Sequence, residues 1–188
     1  MEGGRGLLDC EYASGCWDYL ESLPELGRFS LISGYCQFLH DRARILEIGC
    51  GDGLLATRIC FSRMSSFTGI DVSAEAIARA ATRQIENSTF ILADACDFIP
   101  EGEFDLILFT ECLEYFEDPR GLVRRYRRSL RAGGHVIVSM FVGVDTNRSL
   151  KIWKMLGAEY CCRDESRVTN SHGQSWIVRV LQPRGASS

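Results

Sequence analysis

The stretch RILEIGCGDGLL (residues 44–55) runs from a short apolar segment through the acid Glu47 into three closely spaced glycines, Gly49, Gly51 and Gly53. A short apolar run that ends in glycine reads as a strand buried on both faces. Glycine at such positions lets the backbone turn tightly and approach a ligand, because no Cβ blocks left-handed conformations. The stretch therefore predicts a buried strand over 44–50, a loop that cradles a nucleotide, and a helix over LLATRICFSRM (54–64).

The same alternation continues downstream. FTGID (67–71), TFILADA (89–95), FDLILFT (104–110) and HVIVSMF (135–141) read as strands. Ser73 is a good N-cap for the helical AEAIARAATRQIE (74–86). PRGLVRRYRRSLRAGG opens a helix at Pro119 and closes it at Gly133–Gly134; RSLKIWKMLG (148–157) ends on glycine. AEYCCRDESRVT and QSWIVRVLQP, joined through NSHG, read as a hairpin. Strands alternating with helices imply α/β architecture, a mostly parallel sheet with helices on both faces, to which the hairpin adds one antiparallel strand. The segment before residue 44 carries two amphipathic helical patterns, separated near Pro24, that have to lie over the sheet or its upper edge.

At 188 residues, 46% hydrophobic and 24% charged, the chain has the size and composition of one soluble domain. We read it as a single unit with an N-terminal helical lid (1–43), a binding core (44–141) and a terminal helix and hairpin (142–188). A net charge of −4 gives no general attraction to nucleic acid or anionic membrane. No apolar run suits a bilayer span or a secretory signal, so a cytoplasmic location is expected. The nine cysteines form no C-x-x-C pair and read as reduced small hydrophobes.

In a doubly wound sheet, ligands bind at the carboxyl ends of the strands, where strand order reverses. Those ends carry the glycine loop, Asp71, Asp94, and Thr110 with Glu111. A nicotinamide dinucleotide requires G-x-G-x-x-G, yet the third position here is Leu54, and Glu47 sets a negative charge where a pyrophosphate would lie. S-adenosylmethionine has no phosphate and carries an ammonium and a sulfonium, which suit a carboxylate beside the loop. Asp71 can accept from both ribose hydroxyls, and Asp94 can meet the adenine amino group. Charge favours the sulfonium ligand.

LEIGCGDG (46–53), GIDVS (69–73), ADACDF (93–98), FDLILFTECLEYFEDP (104–119) and LRAGGHVIVS (130–139), in this order and spacing, resemble the class I S-adenosylmethionine-dependent methyltransferases, in particular the small ubiquinone-pathway-like group. The resemblance implies a Rossmann-like seven-stranded sheet with a C-terminal antiparallel hairpin. It also implies that Glu47, Gly49, Cys50, Gly51 and Gly53 line the methionine end, Asp71 and Val72 the ribose, Asp94 and Ala95 the adenine, and Thr110 the sulfonium. Arg28, in the N-terminal cover, reaches either the methionine carboxylate or a surface salt bridge. Trp17 and Tyr19 either close over the ligands or dock the helix that bears them.

Methyl transfer is an in-line displacement that alignment alone can largely accelerate, with a base needed only for a weakly nucleophilic acceptor. Related O-methyltransferases hold a divalent metal with E-x-x-E-H after the fourth strand. Glu111 and Glu114 occupy the acid positions here, but Tyr115 replaces the histidine and is a poor magnesium ligand, so no metal is expected. Tyr115 either orients or deprotonates the acceptor or packs under the cover. Of the three histidines, His40 and His135 fall at the wrong end of the sheet; His172, in the NSHG turn, is the candidate base. RRYRRSLR (124–131) reads as a solvated helix face rather than a nucleic-acid patch.

The expectation is methyl transfer from S-adenosylmethionine to a small-molecule acceptor, with O-methylation ahead of N- or C-methylation and ahead of a carrier-bound or peptide substrate. The expected partners are that acceptor and, as one option, a second copy of the chain. An NAD(P)-dependent reductase and a non-catalytic interaction protein are the alternatives from other classes.

Overall fold

The structure, a computed structural model, describes residues 2–143 and 146–185. Two helices, α1 (Glu2–Ala13) and α2 (Leu23–Leu39), precede the first strand. Then come β1 (Ala43–Ile48), β2 (Met64–Asp71), α3 (Ala74–Thr82), β3 (Ser88–Leu92), β4 (Phe104–Thr110), α4 (Pro119–Arg127), β5 (Leu130–Phe141), α5 (Thr146–Glu159), β6 (Tyr160–Thr169) and β7 (Ser175–Pro183). Residues 144–145, within the loop expected at 141–148, lie outside the described residues. The strands form one sheet in the order β3-β2-β1-β4-β5-β7-β6. Every pairing is parallel except those of β7, which runs antiparallel to both β5 and β6. The Rossmann-like α/β architecture with its terminal hairpin is as expected.

Strand alternation divides the core between the two faces. Ile107 and Phe109 of β4 join Val123 and Tyr126 of α4 and Trp153 and Leu156 of α5 on one side. Leu106 and Leu108 join Phe29, Ile32 and Cys36 of α2 on the other. The buried residues of α2 recur at helical spacing from Glu25 through Arg28, Phe29, Ile32 and Ser33 to Cys36, which is the stripe it lays on the sheet. Pro24 lies in the first turn of α2 rather than between the helices, a position where its missing N–H costs nothing.

Several boundaries differ from expectation, β3 among them, which ends at Leu92 rather than at residue 95. No α-helix covers 54–64; only two 3-10 turns form, Ala56–Arg58 and Phe61–Arg63. Met64 is taken by β2 through its pairing with Ala43, leaving too few residues for a packed helix. The Thr57 hydroxyl also donates to the Leu54 carbonyl (2.7 Å), a local bond that competes with helix continuation. Helix α4 ends at Arg127 because β5 starts at Leu130, opposite Phe104, and passes Gly133–Gly134 through a register irregularity. Helix α3 stops at Thr82, followed by left-handed Gln84 (φ 49°).

The arginines of RRYRRSLR lie on an exposed face, as expected, and several of them also tie α4 to its neighbours. Arg124 joins Glu159 (2.7 Å) together with Arg120. Arg125 donates to the carbonyls of Cys96, Asp97 and Phe98, and Arg131 pairs with Asp105. Among the cysteines, Cys36, Cys50 and Cys112 are buried as expected, whereas Cys60 and Cys96 are exposed. No helix among the described residues is long and apolar enough to cross a membrane.

Candidate functional site

Parallel pairing brings the carboxyl ends of β1, β2, β3, β4 and β5 to one edge, and strand order reverses between β1 and β4. The glycine loop leaves β1 at this switch point. Its amides at Gly49 and Cys50 both donate to the Ile70 carbonyl (2.9 and 3.0 Å), which pins the loop against the end of β2. Gly51 and Gly53 have left-handed φ of 53° and 76°. A Cβ on Gly51 would sit 2.5 Å from the Tyr12 hydroxyl, and one on Gly53 would sit 2.8 Å from the Phe90 ring. Neither position admits a side chain.

Beneath the loop lies Glu47, 2% exposed. Its Oε2 is buried with no hydrogen-bond partner. Burial pushes its carboxyl up to about 8, against the opposing pull of the Thr110 hydroxyl and the Arg28 guanidinium; Asp71 and Asp52 add to the rise. A buried carboxylate with an unmet oxygen calls for a cation or donor from above the loop.

Asp71 ends β2. One oxygen accepts from the Gly51 amide and the other from the Ser73 amide, each at 2.9 Å. These bonds pull against burial, which nonetheless leaves the carboxyl above its ordinary value. A carboxylate has lone pairs beyond these two, so hydroxyl donors can still join it. The Ser73 hydroxyl caps α3 through the Ala76 amide, as expected, and also donates to Asp9 of α1 (2.6 Å).

Val72, Leu92, Ala93, Asp94, Asp97 and Phe98 line an open groove of about 480 Å³ beyond β2 and β3. Asp94 Oδ1 accepts from the Cys96 amide (2.9 Å), closing the turn, while the Ala95 carbonyl is held by the Tyr126 hydroxyl (2.9 Å). Apolar side chains and two carboxylates, Asp94 and Asp97, edge the groove.

The N-terminal cover is tied directly onto the loop. Asp9 also accepts from the Glu75 amide (3.2 Å), Arg79 holds the Tyr12 carbonyl (3.0 Å) and Asp18 (2.6 Å), and Arg83 joins Glu21 (2.7 Å) to Asp52 (2.5 Å). Tyr12, Trp17 and Tyr19 stack in a row with centroids 5.7 and 6.2 Å apart. Burial and Asp71 raise the Tyr12 phenol far above its usual value. Asp9 and Tyr12 are the residues that sequence reasoning missed. Helical spacing in α1 gives no hint that Asp9 meets the start of α3, 64 residues on, or that Tyr12 meets the glycine loop.

Arg28 is buried rather than in a surface salt bridge. It is 3% exposed, pairs with Glu25 (2.8 Å) and lies over the rings of Phe29 and Trp176. Its charge faces both Glu47 and Glu111. Thr110 ends β4 and Glu111 follows it, both half-buried. Glu111 accepts from the Ser139 hydroxyl, whereas Glu114 turns away to accept from Ser149 of α5 (2.7 Å). No three potential metal ligands come together among the described residues. Tyr115 is 78% exposed, so its ring is not packed under the cover. His172 is exposed in the turn between β6 and β7, at the far edge of the sheet, where its backbone amide donates to Asn170 (2.9 Å). The structure thus gathers the glycine loop, Glu47, Asp71, Thr110 and Arg28, and leaves His172 apart.

Residues 46–138 match the sequence model of a family described as a methyltransferase domain. Just under half of the chain therefore carries a methyltransferase domain, on the Rossmann-like fold of the class I S-adenosylmethionine-dependent methyltransferases. Among the relatives of this chain is the ubiquinone biosynthesis O-methyltransferase of Pseudomonas aeruginosa. It is 31% identical over 122 residues, 62% of this chain and 51% of the relative. The enzyme of that name from Pectobacterium atrosepticum is 29% identical over 190 residues, 91% of this chain and 71% of the relative. The chain spans about half the length of the first of these relatives. In fold it matches the N-methyltransferase NodS from Bradyrhizobium japonicum WM9, solved with S-adenosyl-L-homocysteine. The TM-score is 0.80 at 21% identity, covering 96% of this chain and 98% of that one.

Proposed function

We propose that this methyltransferase transfers the methyl group of S-adenosylmethionine to a hydroxyl of a small-molecule acceptor. The carrying observation is the unmet, buried Glu47 oxygen under a loop of left-handed glycines. A phosphate there would face a carboxylate; an ammonium or sulfonium would complete it. The residues fit the donor along its length. Glu47 and the loop suit the methionine end, Asp71 has acceptor capacity for the ribose, and the groove with Asp94 at its rim suits the adenine. Thr110 would border the sulfonium, and Arg28 balances the acids. Bound there, the sulfonium supplies an activated methyl group; the chain aligns it and keeps water out. The hydroxyl acceptor draws support from relatives named as O-methyltransferases.

Titration calorimetry with S-adenosylhomocysteine and with NADH tests the donor. Binding of the first alone is expected. Binding of NADH would point to a reductase, and binding of neither to an interaction protein.

A further inference from the structure

We propose that Glu111 is a catalytic residue that takes the proton of the acceptor as the methyl group arrives. This rests on the methyl-transfer reading above and names the proton acceptor that the reading leaves open.

Four observations place it. Glu111 follows the last residue of β4, the central strand that borders the glycine loop. The segment touches that loop, since a Cβ on Gly49 would come within 2.9 Å of the Cys112 Cβ. Glu111 also has a left-handed φ of 54°. Arg42, Gln84 and Asn87 share that feature, but they stand before β1, after α3 and before β3, at the opposite edge of the sheet. A non-glycine residue in this region is strained, and such strain persists where the surroundings impose it. Lastly, Glu111 is recessed yet reachable by solvent, with Arg28, Glu114, Tyr19 and Tyr115 around it and Ser139 and the Phe141 amide donating to it.

The other candidates are spent or misplaced. Glu47 lies beneath the loop and is committed to the donor's cation in that reading, Glu114 is bonded to Ser149, burial with Glu111 and Glu114 raises the Tyr115 phenol above its ordinary value, and His172 lies at the far edge of the sheet. Burial, with Glu114 adding to it, pushes the Glu111 carboxyl up to about 7, close to where a general base works best. In the step, the acceptor oxygen bonds to the methyl carbon and the carbon–sulfur bond breaks with its electron pair passing to sulfur. The hydroxyl proton moves to a Glu111 oxygen, and from there to water.

Glu111 also braces β4 to β5, so the test has to separate chemistry from scaffolding. Glu111→Gln keeps an acceptor for Ser139 and the Phe141 amide. With catechol as the probe acceptor, it is expected to lower kcat roughly 100-fold or more while leaving S-adenosylhomocysteine affinity within about twofold. The wild-type rate is expected to rise through a limb near pH 7 that Glu111→Gln lacks and Glu111→Asp keeps. A Glu111→Gln protein that retains both the rate and the limb overturns the proposal. Carbon-13 NMR of the Glu111 carboxyl in the S-adenosylhomocysteine complex gives a readout independent of turnover. A midpoint near 7 is expected, and one in the ordinary carboxylate range overturns the proposal. Wild type that binds S-adenosylhomocysteine but leaves catechol unmethylated defeats the hydroxyl-acceptor reading, and the NMR midpoint then decides Glu111. Failure to bind S-adenosylhomocysteine defeats the donor reading.

Discussion

Asp71 and Glu47 show how differently two acids beside one loop can act. Asp71 already holds two backbone amides, so its removal costs loop geometry and, in the proposed reading, the ribose bonds as well. Asp71→Ala is expected to weaken S-adenosylhomocysteine binding by about 1.5–3 kcal/mol, the size of a lost charged hydrogen bond, read by calorimetry. Glu47 is a matter of protons. Burial pushes its carboxyl up to about 8 in the free protein, and in the proposed reading a cationic ligand draws it into the ionised form. Binding of S-adenosylmethionine below pH 8 is therefore expected to release up to one proton and to strengthen as pH rises, by at most tenfold per pH unit, levelling above about 8. Calorimetry in buffers of different ionisation enthalpy measures the release, and Glu47→Gln should abolish it. For the free protein the sign is opposite. The folded value lies above the ordinary one, so Glu47 favours folding at low pH, and that contribution is lost as pH rises through about 8.

At the scale of elements, α2 substitutes for the helix that the 54–64 segment fails to form. Phe29, Ile32 and Cys36 share one cluster with Leu54, Leu55, Ala56 and Ile59, so a helix before the sheet and a loop after β1 jointly cover the same face. Ile32→Ala should cost about 2–5 kcal/mol, as for a fully buried core residue, and lower the thermal midpoint accordingly. Small effects would mean that α2 is an appendage. This substitution was not legible in the sequence. LLATRICFSRM has a helical composition, and only the pairing of Met64 with Ala43 reveals that the strand claims its end. By contrast, β4 was read with its observed bounds, because the apolar LILF core with Phe104 before it, set between Glu103 and Glu111, admits little else. The loop glycines and Asp71 were equally legible, being local signals. Asp9, Tyr12 and the buried setting of Arg28 depend on long-range packing that no local pattern encodes.

Across the whole molecule, protons act at both edges of the sheet. At the edge away from the glycine loop, His40 Nε2 and His135 Nδ1 lie 3.2 Å apart. Burial, His40 and Arg163 hold the His135 imidazole below its usual value. Its neutral form is the folded one, so stability is complete above about pH 6.5 and is lost as pH falls below that. His135→Gln should therefore narrow the difference in melting temperature between pH 7.5 and 5.5, each kcal/mol removed being worth roughly 2–4 °C. An unchanged difference would show that the pair contributes nothing.

The seating of α2 also carries a consequence for synthesis. Tyr35 bonds to Asp164 and Ser166 of β6, and Arg28 lies over Trp176 of β7. Strand β7 is itself wedged between β5 and β6. A helix that leaves the ribosome early thus finds its seat only after the hairpin has emerged. At ~5–20 residues per second the wait is roughly 7–30 s. During that interval the apolar stripe of α2 has no final home, and the nascent chain becomes a client for whatever shields such stripes in the cell.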